Sequence, residues 1–363
     1  MADNNITNAA SEFQVITAEI STTRSDLAVD IKSAIVEFII YEHIEKPYLT
    51  MDLVFKDQHN IVQDMDFQGA EKLSIKVQHI EQQDKGKFIS AEFVIDKIIK
   101  TFKIDERQEA VTIHCTEYHA YESLAQNVNM SYSGSPSGIS QRIIQTYLNK
   151  DLVVDGQDAI RDMKVVIPNM HPLEAVMWLT PRMTTHDGLP FFFYSPMGVQ
   201  NLVLKDLQKM LEQQPINAAT PYMYAPSMET NKTKMNLYLI SKYRHESSEN
   251  LLRRIAEGVV GAQYHFIDTY NGVPERVNFD VDNVFKSLLH KNLLGGSNKR
   301  YGYSPGYEVK DTPLSQHSSK VISRVSSSGA YQNLGVSYRS YDDETVQGNQ
   351  TKTINRKALK SFL

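Results

Sequence analysis

Between Ile35 and Val77 apolar residues recur at every second position, in three runs broken by a single proline and a short polar connector. Leu49, Met51, Leu53 and Phe55 alternate with Thr50, Asp52 and Val54; Leu73, Ile75 and Val77 alternate with Ser74, Lys76 and Gln78. A period of two sends one set of side chains into a core and the other outward, which is the pattern of a half-buried β-strand. Further on, Val111, Ile113 and Cys115 alternate with Thr112, His114 and Thr116. Residues 14 to about 117 hold roughly seven such runs, and only Pro47 precedes Pro136. Proline cannot donate to a strand ladder, so its scarcity suits a continuous sheet. The expectation is a mostly antiparallel barrel or sandwich over residues 1–118.

The pattern then changes. SYSGSPSG (Ser131–Gly138) reads as a loop from its composition. Ile139, Ile143, Ile144, Tyr147 and Leu148 recur at helical spacing. Pro172 suits a first helical turn, with Leu173, Val176, Met177 and Leu179 on one face and Pro181 as terminator. Pro190–Tyr194 reads as a buried strand, and Asp206 as the cap of a helix carrying Leu207, Met210 and Leu211. Residues 119–235 thus form an α+β middle domain that ends in a long surface connection from about 215.

A second β/α segment follows at 236–290. Asn236–Tyr243 reads as a strand, and a helix carries Leu251, Leu252, Ile255 and Val259 and closes near Gly261. A hairpin is expected around Asn271-Gly272, returning at Val277–Phe279. Residues 291–363 read as an extended interface segment ending in an amphipathic helix. Ile354, Ala358, Leu359, Phe362 and Leu363 line one face of that helix, opposite Lys352, Arg356, Lys357 and Lys360. It either packs on its own domain or docks on a partner chain. Nineteen tyrosines favour broad contact surfaces, because tyrosine offers large amphipathic area with few rotors.

Catalytic patterns are incomplete throughout. HESSE (His245–Glu249) lacks the second histidine that a zinc helix needs at its fifth position. In HCTEYH, a strand would put Cys115, Glu117 and His119 on one face and His114 on the other, so His114 does not orient the thiol. Gly134–Gly138 has proline where a nucleophile elbow needs serine. Asp342-Asp343-Glu344 reads as a solvated loop, and Trp178 as core. No catalytic, cofactor-binding or metal residues are assigned, and no enzyme activity is expected. One cysteine rules out an internal disulfide framework. MADNNITNAASEF does not resemble a signal peptide, so export by a cleaved signal is not expected, and no window has the apolar length of a membrane span. A net charge of −5 argues against gripping nucleic acid.

In their order along the chain these elements resemble the baseplate hub proteins of contractile-tailed bacteriophages, and the hub part of VgrG spike proteins of type VI secretion. The matching features are a strand ending Tyr41-Glu42, a hairpin strand leading to Asp57, and Gly69 with Glu71 before the next strand. They continue with Gly138 and the Ile139–Leu148 helix, Ile167-Pro168-Asn169 with Pro172 and Ala175, Phe191–Tyr194, Leu207, and Gly258–Tyr270, reaching to about residue 285. The resemblance implies a tube-type β-barrel domain followed by α+β domains, assembled as a homotrimer around a central channel. It further implies a virion protein of the tail baseplate, assembled in the host cytoplasm, that adapts a six-fold tail tube to a three-fold spike. The implied partners are the tail tube protein, a spike protein, the tape-measure protein and baseplate wedge proteins, with DNA passing through unbound. Tyr41, Glu42, Tyr48, Val54, Asp57, Ile354, Leu359 and Phe362 are the candidate interface residues. A second tube barrel would normally continue beyond a helix like 354–363; here it is incomplete, built differently from 236–285, or completed by another protein. Wall-piercing activity is expected of a partner. The alternatives are a distal-tail or tube-initiator protein, or a peptidoglycan-cleaving tail enzyme using acids around Asp268 or Asp342–Glu344.

Overall fold

The structure is a computed structural model. It describes residues 13–22, 24, 27–79, 88–104, 108–158, 163–185, 189–213, 222–224, 239–240, 242–244, 251–258, 260–267, 274–281 and 308–325. The chain divides into two compact units. One comprises 1–126, 194–202 and 214–244; the other comprises 127–193, 203–213 and 245–363.

In the first unit, seven strands follow one another: β1 (Phe13–Ser21), β2 (Ala28–Asp30), β3 (Ile35–Tyr41), β4 (Thr50–Asp57), β5 (Lys72–His79), β6 (Ile89–Lys103) and β7 (Glu109–Glu117). They form a single sheet of order β2-β1-β5-β6-β7-β4-β3, antiparallel at every junction. The alternation seen in the sequence is the burial pattern of the sheet. Met51, Leu53, Phe55, Leu73, Ile75, Ile113 and Cys115 are almost fully buried, in one cluster with Ile20, Phe93 and Ile95. Each such aliphatic or aromatic side chain contributes roughly 1.5–3 kcal/mol through removal from water. For residues from β1, β4, β5, β6 and β7 to share one core, the sheet must curl over its inner face. Bulges in β1, β3 and, twice, in β6 add the local bending that this requires. Among the described residues the sheet is open, with β2 and β3 as its end strands.

Short helices complete this unit. Helix α1 (Ile61–Asp64) follows Asp57, whose buried carboxylate accepts from the backbone N–H groups of His59, Ile61 and Val62. Helix α2 (Tyr118–Leu124) begins directly where β7 ends. Glu71, almost fully buried, accepts from the backbone N–H groups of Gln68, Gly69 and Ala70 and from Arg24 Nη2 at 2.7 Å. Gly69 makes this cage possible: its φ is +91°, and a Cβ there would stand 3.0 Å from the Asp96 carbonyl oxygen.

The second unit opens with β8 (Ser131–Gly134) and α3 (Pro136–Leu148). The segment expected to be a loop is therefore half strand and half helix start. Ser135 accepts from the Gly138 N–H as the N-cap, and Pro136 fills the first helical position, where no N–H is needed. Strands β9 (Leu152–Asp155) and β10 (Met163–Val166) follow, β10 pairing with β8. Helix α4 (Pro172–Leu179) packs on α3. Its buried face is Leu173, Ala175, Val176 and Leu179, while Met177 is exposed, contrary to the sequence expectation. Trp178 is half-buried rather than core, with the Arg182 guanidinium 3.6 Å from its ring centroid. Strands β11 (Phe191–Tyr194) and β12 (Leu202–Asp206) join β9 in a sheet of order β11-β12-β9. Asp206 caps α5 (Leu207–Leu211) by accepting from the Lys209 N–H at 2.7 Å, as the sequence indicates.

Returning to the first unit, β13 (Met223–Tyr224) and β14 (Leu239–Ile240) form a short parallel pair, and Tyr224 meets Tyr243 edge-on at 5.1 Å. In the second unit α6 (Leu251–Glu257) ends at Gly258, whose φ is +78°, and not at Gly261. Gly261 instead opens β15 (Gly261–Ile267), which pairs antiparallel with β16 (Pro274–Asp280) in the expected hairpin. The small β17 (Glu308–Val309) and β18 (Thr312–Pro313) pair precedes β19 (Val321–Val325), which lies parallel to β15.

Candidate assembly interface

Strand β4 is flanked by β3 and β7, so its outward side chains form the middle of an exposed sheet face. On that face Tyr41 Oη donates to Asp52 Oδ2 at 3.1 Å, and His114 Nδ1 stands 2.6 Å from Asp52 Oδ1. Three strands are thereby linked by one carboxylate. By accepting from the phenol, the Asp52 carboxylate favours the protonated Tyr41 hydroxyl and raises the Tyr41 pKa, with burial and the nearby charges of Asp52 and Glu37 acting in the same direction.

The interface candidates fall into three groups. Tyr41 and Val54 look outward on neighbouring strands, Glu42 is exposed just beyond β3, and Tyr48 is half-buried. Val54 sits on a strand paired on both sides, so a proline there breaks the sheet itself rather than an edge. Asp57 turns inward and is used by α1. Ile354, Leu359 and Phe362 lie outside the described residues.

Sequence reasoning missed the second half of β6. This strand is 15 residues long, yet β5 covers it only over Ile89–Val94. From Asp96 onward its residues are exposed, including Ile98, Ile99 and Phe102. The available signal was DKIIKTFK (Asp96–Lys103), in which apolar residues are interleaved with a lysine at every third position.

The groups with chemical potential are otherwise engaged. Cys115 is buried in the sheet core, and burial pushes its thiol pKa well up, with nearby Asp52 and Asp96 adding to the effect. Because β7 stops at Glu117, His119 belongs to α2 and not to a strand face shared with Cys115. Its Nε2 faces the Pro47 carbonyl at 2.7 Å and its Nδ1 faces Glu117 Oε1 at 3.2 Å. Both ring nitrogens thus meet acceptors, leaving neither placed to act as a base toward a nucleophile. Among the described residues no group of three or more His, Cys, Asp or Glu is placed to hold a metal ion. No helix among them is long and apolar enough to cross a membrane. His245–Glu249, Asp268 and Asp342–Glu344 lie outside the described residues.

No family model matches the chain, and no curated protein matches it. Among solved structures it is similar to the 43 kDa tail protein of prophage MuSo2 from Shewanella oneidensis, with a TM-score of 0.45 and 9% identity over 93% of this chain and 78% of that one. It is also similar to the tail protein from Neisseria meningitidis MC58, with a TM-score of 0.38 and 10% identity over 87% of this chain and 88% of the other. A chain of the Francisella PdpA–VgrG complex has a TM-score of 0.41 and 9% identity, covering 88% of this chain and 40% of that one. The structural neighbours are thus phage tail proteins and a VgrG complex.

Proposed function

We propose that this chain is a non-enzymatic structural protein of a contractile phage-type tail, acting as the baseplate hub. In this reading three copies surround a channel and adapt a six-fold tail tube to a three-fold spike. Tube, spike, tape-measure and wedge proteins are its partners, and DNA passes through without specific binding. The protein belongs to the virion and is assembled in the host cytoplasm. A closed ring requires heterologous contacts in which one face of each copy meets a different face of the next.

One observation carries the reading: the residues that resemble hub proteins fall at element boundaries, in order. Tyr41 ends β3, Asp57 ends β4, Gly69 and Glu71 build the turn into β5, Pro172 opens α4, Phe191–Tyr194 is β11 and Leu207 opens α5. A net charge of −5 is compatible with a lumen that does not trap phosphate. Electron microscopy of the purified chain tests the reading directly. Three-fold rings with an open centre support it, and six-fold rings move the assignment to a tube-initiator or distal-tail protein. Turnover of peptidoglycan by the purified chain, lost on replacing its acidic residues, would overturn the non-enzymatic assignment.

A further inference from the structure

Strands β6, β7, β4 and β3 form a four-stranded portion of the first sheet that is open on both sides at the same level. On one side, among the described residues, β3 is an end strand, with Val36 and Ile39 more than two-fifths exposed. On the other, among the described residues no strand lies beside β6 from Lys97 to Lys103, where Ile98, Ile99 and Phe102 are exposed. Register fixes the level. Lys100, Thr112, Val54 and Glu37 stand in one row across the four strands, and Ile98, Ile113, Leu53 and Phe38 in another.

We infer that the β3 edge of one copy adds to the Lys97–Lys103 edge of β6 in a second copy of this chain, continuing the sheet between subunits. Three features converge on a second copy as the occupant. The portion has an even number of antiparallel strands, so a copy in the same sense presents its β6 antiparallel to β3, which preserves the alternation of the sheet. The two edges differ, as a ring contact requires. Their charges are complementary where the register aligns them: Lys97 and Lys100 lie on the open part of β6, and Glu37 lies on β3 in the row of Lys100. In an unstaggered continuation Glu37 shares a row with Lys100 of the next copy, an opposite-charge cross-strand pair. Edge lysines alone also discourage pairing. The β3 edge, however, carries no lysine between Ile35 and Tyr41 and leaves its apolar residues uncovered.

The inference rests on the ring reading, and sedimentation velocity of the full chain separates the two. The variants are K97E/K100E, E37K and all three changes in one chain. Every altered residue is exposed, and circular dichroism with a thermal melt confirms that each variant folds. The expected result is a wild-type oligomer, its loss in both reversals, and its return in the triple variant. An oligomer that survives both reversals overturns the edge pairing and leaves the ring standing. A six-fold oligomer with the same loss and rescue upholds the pairing and moves the function to the tube-initiator alternative. A wild-type chain that stays monomeric overturns both.

Discussion

The Ser195 hydroxyl donates to Glu117 Oε2 at 3.0 Å across 78 residues of sequence. The same carboxylate oxygen accepts from the Leu49 N–H at 2.8 Å, and the other oxygen faces His119 Nδ1. Glu117 therefore ties three segments of the first unit, including residues 194–202, to the end of β7. Ser195→Ala should cost about 1 kcal/mol, the worth of a typical hydrogen bond. Glu117→Ala should cost more, about 2–4 kcal/mol, because it leaves several buried donors without an acceptor. Urea unfolding of the two variants measures both values, and equal effects would contradict the proposed hub role of Glu117 in this cluster.

The Glu71 cage predicts acid sensitivity. Burial by itself raises the carboxyl pKa, but the backbone N–H groups of Gln68, Glu71, Ala70 and Gly69 outweigh it and hold the pKa below the ordinary glutamate value. A folded pKa below the unfolded one contributes stability that is present above the unfolded value and lost as pH falls through the folded one. Glu71→Gln should cost about 1–3 kcal/mol at neutral pH, with the difference from wild type shrinking below about pH 4. Thermal melts from pH 7 to pH 3 give the comparison.

Cys115 should be silent in the native protein. Its thiol is buried among the sheet residues and its thiolate is disfavoured, so the nucleophilic form is scarce. Reaction with a disulfide reagent at pH 8 should follow the opening of the first sheet and accelerate sharply in denaturant. Rapid labelling under native conditions would show that this core opens far more readily than its packing implies.

Gly261 has no room for a side chain. A Cβ there would lie 2.4 Å from the Ser315 carbonyl oxygen and 2.5 Å from that of His317. Both are backbone atoms and cannot swing aside. Gly261→Ala should destabilise the second unit by about 1–3 kcal/mol or more, whereas Gly198→Ala, whose nearest neighbour would be 3.6 Å away, meets no clash and carries only the backbone cost of alanine at φ +79°, about 1 kcal/mol. The melting temperature of each variant reads the difference.

Period-two alternation made the first sheet legible because burial on one face of a strand is written directly into sequence. It identified the strands and their inward residues, from Met51 and Leu53 to Ile113 and Cys115. Composition was a poorer guide at Ser131–Gly138, where serine and glycine suggested a loop but serve an edge-paired strand and a helix cap. The closing glycine of α6 was misplaced by three residues because a close approach of Ser315 and His317 explains Gly261, and that contact is distant in sequence. The same limit applied to the interface. Val54 stands among the interface candidates, but strand order is non-local, and only pairing reveals that, among the described residues, β3 and the far half of β6 are the open sides.

The placement of Trp178 gives this two-unit chain a selective reporter. It is the only tryptophan in the sequence, it lies on α4 of the second unit, and the Arg182 guanidinium stacks over it. Indole emission therefore follows the packing around α4 and carries no signal from a tryptophan in the seven-stranded sheet. Recorded together with the exposure of the Cys115 thiol, which reports on that sheet, it distinguishes concerted loss of the two units from sequential loss. Coincident transitions would mark one cooperative body, and separated ones two independently melting modules.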